Sequence, residues 1–330
     1  MMPWAGFIGC ALVIAVAGTW LTQSADAIAE RTRLSRSGAG LFLLATATSL
    51  PELVTGVSAV TIVNAPNIAM GDALGSCIFN LLLLALLDWL SREDPLYTRV
   101  EQGHILTAAL GVVMIGAVGL LLLVGRGALD LRLLHFSVAT PLLILIYAIS
   151  LRAISRRVLA QFLVADTSPP AAALRPLLVR YILAATAVII AGSVLPFVGL
   201  RIAETMGWHT SFVGTIFIAA ATSLPEIVVT IVALRLRAPD MAVANLLGSN
   251  LFDMLVLAID DLAYLRGSLF AAASPSHAVS AFAAAIMSGI VIVAVLDRPT
   301  YRVFGKVGWA SVFLLIVFVL SSYAVYLHGK

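Results

Sequence analysis

The pentapeptide Thr-Ser-Leu-Pro-Glu occurs twice in the chain, at residues 48–52 and at residues 222–226. Each copy lies inside an apolar run that is long enough to cross a lipid bilayer. A glutamate in the hydrocarbon region costs about 2.5 kcal/mol or more, so such a residue is normally kept for a function. The proline before it interrupts the helix at the same depth because it has no N–H to donate. The repeated pair predicts a duplicated membrane protein with one polar site at the midplane of the bilayer.

The composition of the chain is typical of a helical membrane protein. Its 330 residues are 61% hydrophobic and 11% charged, whereas soluble domains carry about 25% charged residues. The apolar runs are continuous over about 20 residues, which favours helices over a membrane barrel. The lipid bilayer is therefore one expected partner, and we expect neither a nucleic acid nor an obligate protein partner.

Hydropathy along the sequence predicts ten membrane-spanning helices. Fifteen of the twenty Lys and Arg residues flank these spans on one side, and the positive-inside rule makes that side the cytoplasm. Both termini are then outside, in a protein of the plasma (inner) membrane, and a linker over residues 153–175 is cytoplasmic. The predicted spans are 3–22, 37–63, 66–90, 103–125, 131–151, 176–202, 211–234, 239–262, 277–296 and 305–327.

Five spans precede the linker and five follow it. Because five is an odd number, the two halves insert upside down relative to each other, and inverted repeats around a midplane site are a transporter architecture. We therefore predict an all-α membrane protein. Its two inverted five-helix repeats occupy residues 1–152 and 176–330, with broken helices at the site.

A second shared motif extends the internal repeat. The pattern Gly-Ser-x-x-Phe-x occurs at residues 75–80 and again at residues 248–253. Its serine follows the pentapeptide glutamate by 24 residues in the first half and by 23 in the second. The segments that contain the two repeated motifs are therefore residues 40–90 and 211–262.

The side chains of these motifs supply oxygen atoms for a cation site. The prolines release backbone carbonyls one turn earlier, around residues 45–48 and 219–222. Hard cations such as Ca²⁺ and Na⁺ take oxygen ligands, whereas zinc and copper prefer nitrogen or sulfur. Two cations that compete for the same carboxylates would give exchange. The oxygen-bearing side chains are those of Thr48, Ser49, Glu52, Ser76, Asn80, Thr222, Ser223, Glu226, Ser249 and Asp253.

Other ionisable residues lie outside these motifs. Asp72, one turn before Ser76, either adds to the site or pairs locally. Asp88, Asp260 and Asp261 lie near span ends, where we expect them to be solvated. The histidines are also at or near span boundaries, where we expect them to face water or lipid headgroups; they are His104, His135, His209, His277 and His328.

These segments resemble the two alpha-repeats of the cation/Ca²⁺ antiporter superfamily, and most closely its sodium/calcium exchanger branch. In the first half the resemblance rests on Ala-Thr-Ala-Thr-Ser-Leu-Pro-Glu at residues 45–52, followed by Gly75-Ser76 and Asn80. In the second half it rests on Ala-Ala-Ala-Thr-Ser-Leu-Pro-Glu at residues 219–226, followed by the motif at residues 248–253.

The resemblance implies roles for individual residues. Glu52 and Glu226 would be the central Ca²⁺ ligands, joined by the backbone carbonyls of the two motif threonines. It also implies that the first and sixth helices slide across a stationary core of eight helices. The flanking Na⁺ sites would be lined by Ser49, Ser76, Ser223, Ser249, Asn80 and Asp253, with the carbonyls of Ala45 and Ala219.

The sequence departs from the family pattern at two positions. Similar sequences usually carry Asn where Asp72 and Cys77 stand, while this chain keeps Asn245 and Asn250 in the other half. An extra acid at position 72 would alter ion affinity or bring in a proton.

The leading hypothesis is a secondary antiporter that exchanges Ca²⁺ for Na⁺ by alternating access and needs no cofactor. The alternative is a Ca²⁺/H⁺ exchanger, or another cation/proton exchanger, on the same scaffold. An intramembrane enzyme would need a catalytic dyad or a Ser-His or Ser-Lys pair, and the predicted spans offer none. Channels are usually built by symmetric subunits around a shared pore, whereas this chain carries its own pseudo-symmetry.

Overall fold

The computed structural model describes residues 2–31, 46–91, 95–125, 131–162, 174–303 and 307–329. Within these residues the chain is built almost entirely from helices, which we number in chain order. The helices are α1 Met2–Arg31, α2 Leu50–Ser58, α3 Pro66–Leu90, α4 His104–Val124, α5 Ala139–Phe162, α6 Leu174–Met206, α7 Leu224–Arg235, α8 Pro239–Ala263, α9 His277–Asp297 and α10 Trp309–His328.

Several short elements connect these helices. Single helical turns cover Leu96–Arg99 and Leu269–Ala272, and a π-helical stretch, Ala59–Val63, extends α2. Before α7 the chain forms a turn at Thr210–Phe212, a π-helical stretch at Val213–Ile218 and a turn at Ala219–Thr222. The strands β1 (Arg132–Leu133) and β2 (Phe136–Ser137) pair in an antiparallel hairpin.

In the described part of the chain, seven helices are long and apolar enough to cross a membrane. They are α1, α3, α4, α6, α8, α9 and α10. The segments Thr210–Thr222 and Leu224–Arg235 pass the same test together, and Leu50–Val63 and Ala139–Ile154 are shorter apolar helices. These helices confirm an integral membrane protein of the all-α class.

The predicted fifth span, residues 131–151, is wrong at its start. Residues 132–137 form the hairpin, and α5 begins only at Ala139. At its other end α5 continues to Phe162, so residues 153–162 of the predicted linker are helical. Residues 163–173 lie outside the described part of the chain.

The turn before the third helix has the same backbone conformation in the two halves of the chain. Asn64 and Arg237 both adopt left-handed backbone conformations, with φ of 55°. Each is followed by an alanine and a proline, and the helix begins at that proline. A proline fits the first helical position because its N–H would have no partner there in any case.

Helices α3 and α8 form the centre of the molecule. In each, 72% of the most apolar stretch is buried inside the protein, against 28% in α1 and α10. The two central helices pack against each other, while α1 packs mainly along α6. The motif residues of α3 and α8 are therefore placed between the two halves.

Asp88 is buried at the end of α3, so the expectation that it is solvated is wrong. Its Oδ1 accepts a hydrogen bond from the N–H of Leu96 (3.0 Å). Its Oδ2 accepts from the N–H of Gly308 (2.7 Å) and from the hydroxyl of Ser311 (2.6 Å). The carboxylate thus ties the end of the third helix to the start of the fifth helix of the other half.

Asp261 makes the equivalent contacts at the end of α8 and is also buried. Its Oδ1 accepts from the N–H of Leu269 (2.6 Å), and its Oδ2 accepts from the N–H of Ser137 (2.8 Å) and the hydroxyl of Thr140. Asp88 and Asp261 are equivalent positions of the repeat and anchor equivalent helix ends. Their burial is structural, because hydrogen bonds occupy both oxygens of each carboxylate.

His277 also contradicts the expectation from the sequence. The side chain is fully buried at the start of α9, whereas we expected every histidine to face water or headgroups. His104, the equivalent residue of the first half, contacts Asp240 Oδ1 through its Nε2 (3.0 Å), and that pair is partly exposed.

Candidate functional site

Both pentapeptides interrupt a helix at the same point. Ser49 and Ser223 leave the regular helical conformation, with φ/ψ of −97°/17° and −80°/9°, and α2 and α7 begin at the next residue. In the second half the axis bends by 45° at this break. Each proline then lies in the first turn of the new helix, where its missing N–H leaves no bond unmade.

The glutamates follow directly after the breaks. Glu52 and Glu226 lie in the first turns of α2 and α7, where the partial positive charge of a helix N-terminus favours a carboxylate. Both side chains are at most 2% exposed. The two breaks therefore aim two buried acids at the space between the central helices.

A pseudo-symmetric set of contacts surrounds each glutamate. Ser76 donates a hydrogen bond to Glu52 Oε1 (3.4 Å), and Ser249 donates to Glu226 Oε1 (3.3 Å). The hydroxyls of Thr48 and Ser249 lie 3.4 Å apart, as do those of Thr222 and Ser76. Each threonine therefore reaches the serine of the opposite half, and the site is shared between the halves.

Asp72 belongs to this polar cluster. The hydroxyl of Thr222 donates to Asp72 Oδ1 at 2.9 Å, which joins α3 of the first half to the second pentapeptide. Of the two alternatives from the sequence, the geometry therefore favours addition to the site over local pairing. Ser223 also crosses between the halves and donates to Glu52 Oε1 (3.5 Å).

Cys77, Asn80, Asn250 and Asp253 form the adjoining part of the α3–α8 contact. The thiol of Cys77 lies 3.5 Å from Asp253 Oδ2, and the Asn80 amide donates to Asn250 Oδ1 (3.0 Å). Asn250 in turn donates to the carbonyl of Cys77 (3.3 Å). Asp253 thus lies beside the polar cluster around Glu52 and Glu226, on the same helix face as Ser249.

Several oxygens of the cluster have no hydrogen-bond partner although they are buried. Two small polar groups, Ser49 Oγ and Asn80 Oδ1, share this property. Unpaired buried oxygens are costly, and coordination of a cation is one way to satisfy them. The carboxylate oxygens concerned are Glu52 Oε2, Asp72 Oδ2, Glu226 Oε2 and Asp253 Oδ1.

Backbone groups complete the description of the predicted site residues. Ala219 is buried, and its carbonyl accepts a hydrogen bond from the N–H of Ser223 (3.0 Å). That carbonyl is therefore not released from the helix, in contrast to our expectation, although it lies 3.2 Å from the Thr222 hydroxyl. Ala45 lies outside the described residues.

Gly75 shows why this position of the motif is a glycine. A Cβ atom there would overlap the carbonyl of Thr215 and lie 2.6 Å from the Cβ of Ala219. The close approach of α3 to the segment that precedes the second pentapeptide depends on it. At Gly248, the equivalent glycine, an added Cβ would meet no atom of the described residues within 4 Å.

Sequence reasoning left Asn250 out of the site residues and left the role of Cys77 open. Both occupy the position after the motif serine, so the repeat itself carried the signal. In the described part of the chain, no three His, Cys, Asp and Glu side chains converge as a metal-binding group. Hydroxyls and amides separate the acids, so an ion held here would also need those oxygens.

Almost the whole chain matches the model of one protein family. Residues 2–156 and 177–327 match the family described as sodium/calcium exchanger protein. The chain belongs to this exchanger family. The polar cluster at α2, α3, α7 and α8 therefore lies in a membrane transporter whose relatives exchange inorganic cations.

Two other proteins are similar to this chain in sequence. The chain is 25% identical over 320 residues to the uncharacterised membrane protein MJ0091 of Methanocaldococcus jannaschii, covering 96% of both chains. It is 37% identical over 68 residues to human sodium/potassium/calcium exchanger 5, which is 20% of this chain and 14% of that protein.

Two solved structures share the fold. One is native YfkE, with a TM-score of 0.69, 18% identity and coverage of 97% of this chain and 92% of that one. The other is the sodium-calcium exchanger NCX_Mj soaked with Na⁺ and Sr²⁺, with a TM-score of 0.63, 21% identity and 97% coverage of both chains. The resemblance to the sodium/calcium exchanger branch is thus confirmed.

Proposed function

We propose that the protein is a secondary antiporter that exchanges Ca²⁺ for Na⁺ by alternating access at the shared polar cluster. The observation that carries this proposal is the set of four buried carboxylate oxygens without hydrogen-bond partners, on Glu52, Asp72, Glu226 and Asp253. A flexible array of oxygens suits Ca²⁺, which accepts six to eight such ligands. Both cations are transported substrates, and no cofactor enters the scheme.

The predicted ligand set forms part of the proposal. Glu52 and Glu226 would hold Ca²⁺ at the centre, joined by the backbone carbonyls of Thr48 and Thr222. The side-chain hydroxyls of the same two threonines lie within 3.4 Å of serines of the opposite half. The Na⁺ positions would be lined by Ser49, Ser76, Asn80, Ser223, Ser249 and Asp253, with backbone oxygens of Ala45 and Ala219.

The membrane arrangement is proposed on the same footing. Seven long apolar helices, the bent pair and two shorter apolar helices would make ten spans. They would form inverted repeats at residues 1–152 and 176–330, with the site at the midplane and residues 153–175 on the cytoplasmic side. Both termini would be outside the inner membrane, and α1 and α6 would move together across the other helices.

Isotope flux tests this function. Purified protein in liposomes should take up ⁴⁵Ca²⁺ when an outward Na⁺ gradient is applied, and the uptake should stop when Na⁺ is collapsed or replaced by choline. Empty liposomes are the control. Uptake that does not depend on Na⁺ would reject sodium coupling.

Cation/proton exchange is the second candidate, and one contact favours it. Asp72 stands where relatives usually carry Asn, and it reaches the cluster through Thr222. A fourth carboxylate adds a negative charge that a proton can neutralise. Replacing the Na⁺ gradient by a pH gradient in the same liposomes distinguishes the two functions.

A further inference from the structure

Asp260 is a buried acid that the proposed cation site does not use. Its side chain is 0% exposed, and neither carboxylate oxygen has a hydrogen-bond partner. The next residue, Asp261, has both oxygens occupied by the hairpin, by α5 and by Leu269. An isolated buried carboxylate is among the costliest groups in a protein interior, so Asp260 needs an explanation of its own.

The position of Asp260 relates it to the central cluster. It follows Asp253 by seven residues on α8, which places it on the same helix face and about 10 Å further along the axis. Its carboxylate packs against Gly56, which follows Glu52 by one turn on α2. A Cβ atom on Gly56 would overlap that carboxylate, so the glycine makes room for the acid.

The pseudo-symmetry supplies a built-in comparison. The position equivalent to Asp260 is Leu87 on α3, and the position equivalent to Gly56 is Thr230 on α7. Leu87 is 0% exposed and packs in the core. An apolar side chain therefore satisfies the packing at this place, and the acid on one side of the site serves another purpose.

Among the residues that the structure describes, no Lys, Arg or His forms an ion pair with Asp260. The helices α2, α3 and α4 contain no Lys or Arg. The basic residues on the other elements packed against α8 are Arg99 of the turn Leu96–Arg99, Arg152, Arg156 and Arg157 of α5, and Arg235 of α7. Arg132 of the hairpin lies against Gly267. The other titratable side chains on the elements packed against α8 are Glu52, Asp72, Cys77, Asp88, Tyr97, His104, Tyr147 and Glu226.

We propose that Asp260 is a proton-binding site, separate from the central cluster and present on one side of it only. In the conformation described here the pocket is closed, and the carboxylate takes a proton from water to become a neutral carboxylic acid. When the path on this side opens, water reaches Asp260 and the proton leaves. Closure of this path is therefore linked to proton uptake; that link rests on the proposed function, but the proton site itself does not.

Infrared spectroscopy tests the proton site directly. A protonated carboxyl group absorbs in a C=O region that ionised carboxylates leave empty. In wild-type protein in liposomes at neutral pH, this band should contain a component that Asp260→Asn and Asp260→Leu both remove. The matched control is Asp297→Asn, because Asp297 is exposed at the end of α9 and should leave the band unchanged.

Two further measurements keep the proposal falsifiable. Asp260→Leu introduces the residue type that the other half carries at the equivalent position, Leu87. The melting temperature of this variant should therefore equal or exceed that of the wild type. In flux assays, Asp260→Asn and Gly56→Ala should reduce the response of exchange to pH on one side of the membrane only. An unchanged infrared band in both variants, or a lower melting temperature of Asp260→Leu, overturns the proposal. Absence of Na⁺-driven ⁴⁵Ca²⁺ uptake by the wild-type protein, with the infrared result intact, would instead count against the proposed function.

Discussion

At the scale of single residues, Glu52 and Glu226 are the groups on which the proposed exchange depends. Each is held by a serine of its own half and leaves one carboxylate oxygen unpaired. We expect Glu52→Gln and Glu226→Gln each to abolish ⁴⁵Ca²⁺ exchange, because the amide keeps the shape but removes the charge that attracts the cation. Both variants should still insert and fold, as judged by melting temperature, and normal transport by either would remove the central assignment.

In the proposed exchange, Asp72 is the residue that we expect to distinguish the two coupling ions. Asp72→Asn keeps an oxygen that can accept from Thr222 and removes one negative charge from the cluster. We expect flux driven by a pH gradient to fall by about tenfold or more, as substitutions near an ion site commonly do. Flux driven by Na⁺ should persist. Equal effects on both fluxes would show that the residue has no part in ion choice.

The sequence predicted most residues of the buried polar cluster, since duplication marked the same positions twice. What the sequence could not supply was burial at the helix ends. Asp88, Asp260 and Asp261 all lie near predicted span ends, where water is the ordinary neighbour of an acid. Their burial depends on the hairpin, on α2 and on α10, which approach from distant parts of the chain.

At the scale of helices, Asp88 and Asp261 fasten the ends of α3 and α8. Replacing either by Asn removes a charge that receives three hydrogen bonds. A hydrogen bond to a charged group contributes about 1.5–3 kcal/mol, so Asp88→Asn and Asp261→Asn should each lower the melting temperature measurably. Asp297→Asn is the exposed control. Equal melting temperatures for all three variants would show that these anchors contribute little.

Helix starts were predicted well where a local signal exists, and poorly where it does not. The starts of α3 and α8 were predicted at the correct residues because Pro66 and Pro239 mark them. The start of α5 was missed because residues 131–138 are apolar enough for a span, although residues 132–137 pair as a hairpin. That pairing is stabilised by Asp261, more than 120 residues away.

At the scale of the whole molecule, the proposed sliding of α1 and α6 can be tested by cross-linking. Gly192 of α6 faces Val54 of α2, and a Cβ atom at Gly192 would lie 3.3 Å from that of Val54. This is close to the range for a disulfide. Gly192→Cys with Val54→Cys should therefore stop exchange on oxidation, and a reductant should restore it.

A matched pair within the moving unit serves as the control. A Cβ atom at Gly6 of α1 would lie 3.4 Å from Val198 Cγ2 of α6. Oxidised Gly6→Cys with Val198→Cys should keep its flux, because α1 and α6 are proposed to move together. Full activity of the oxidised Gly192–Val54 pair would contradict the sliding of α6 past α2.

The crossing of Thr48 to Ser249 and of Thr222 to Ser76 also bears on origins. One half by itself would carry a threonine without its serine and a serine without its threonine. Two copies of a chain of half this length would have to associate to complete both pairs. In one continuous chain each copy keeps its own place, so the copies can differ, as they do at Asp72 and Asn245 and at Asp260 and Leu87.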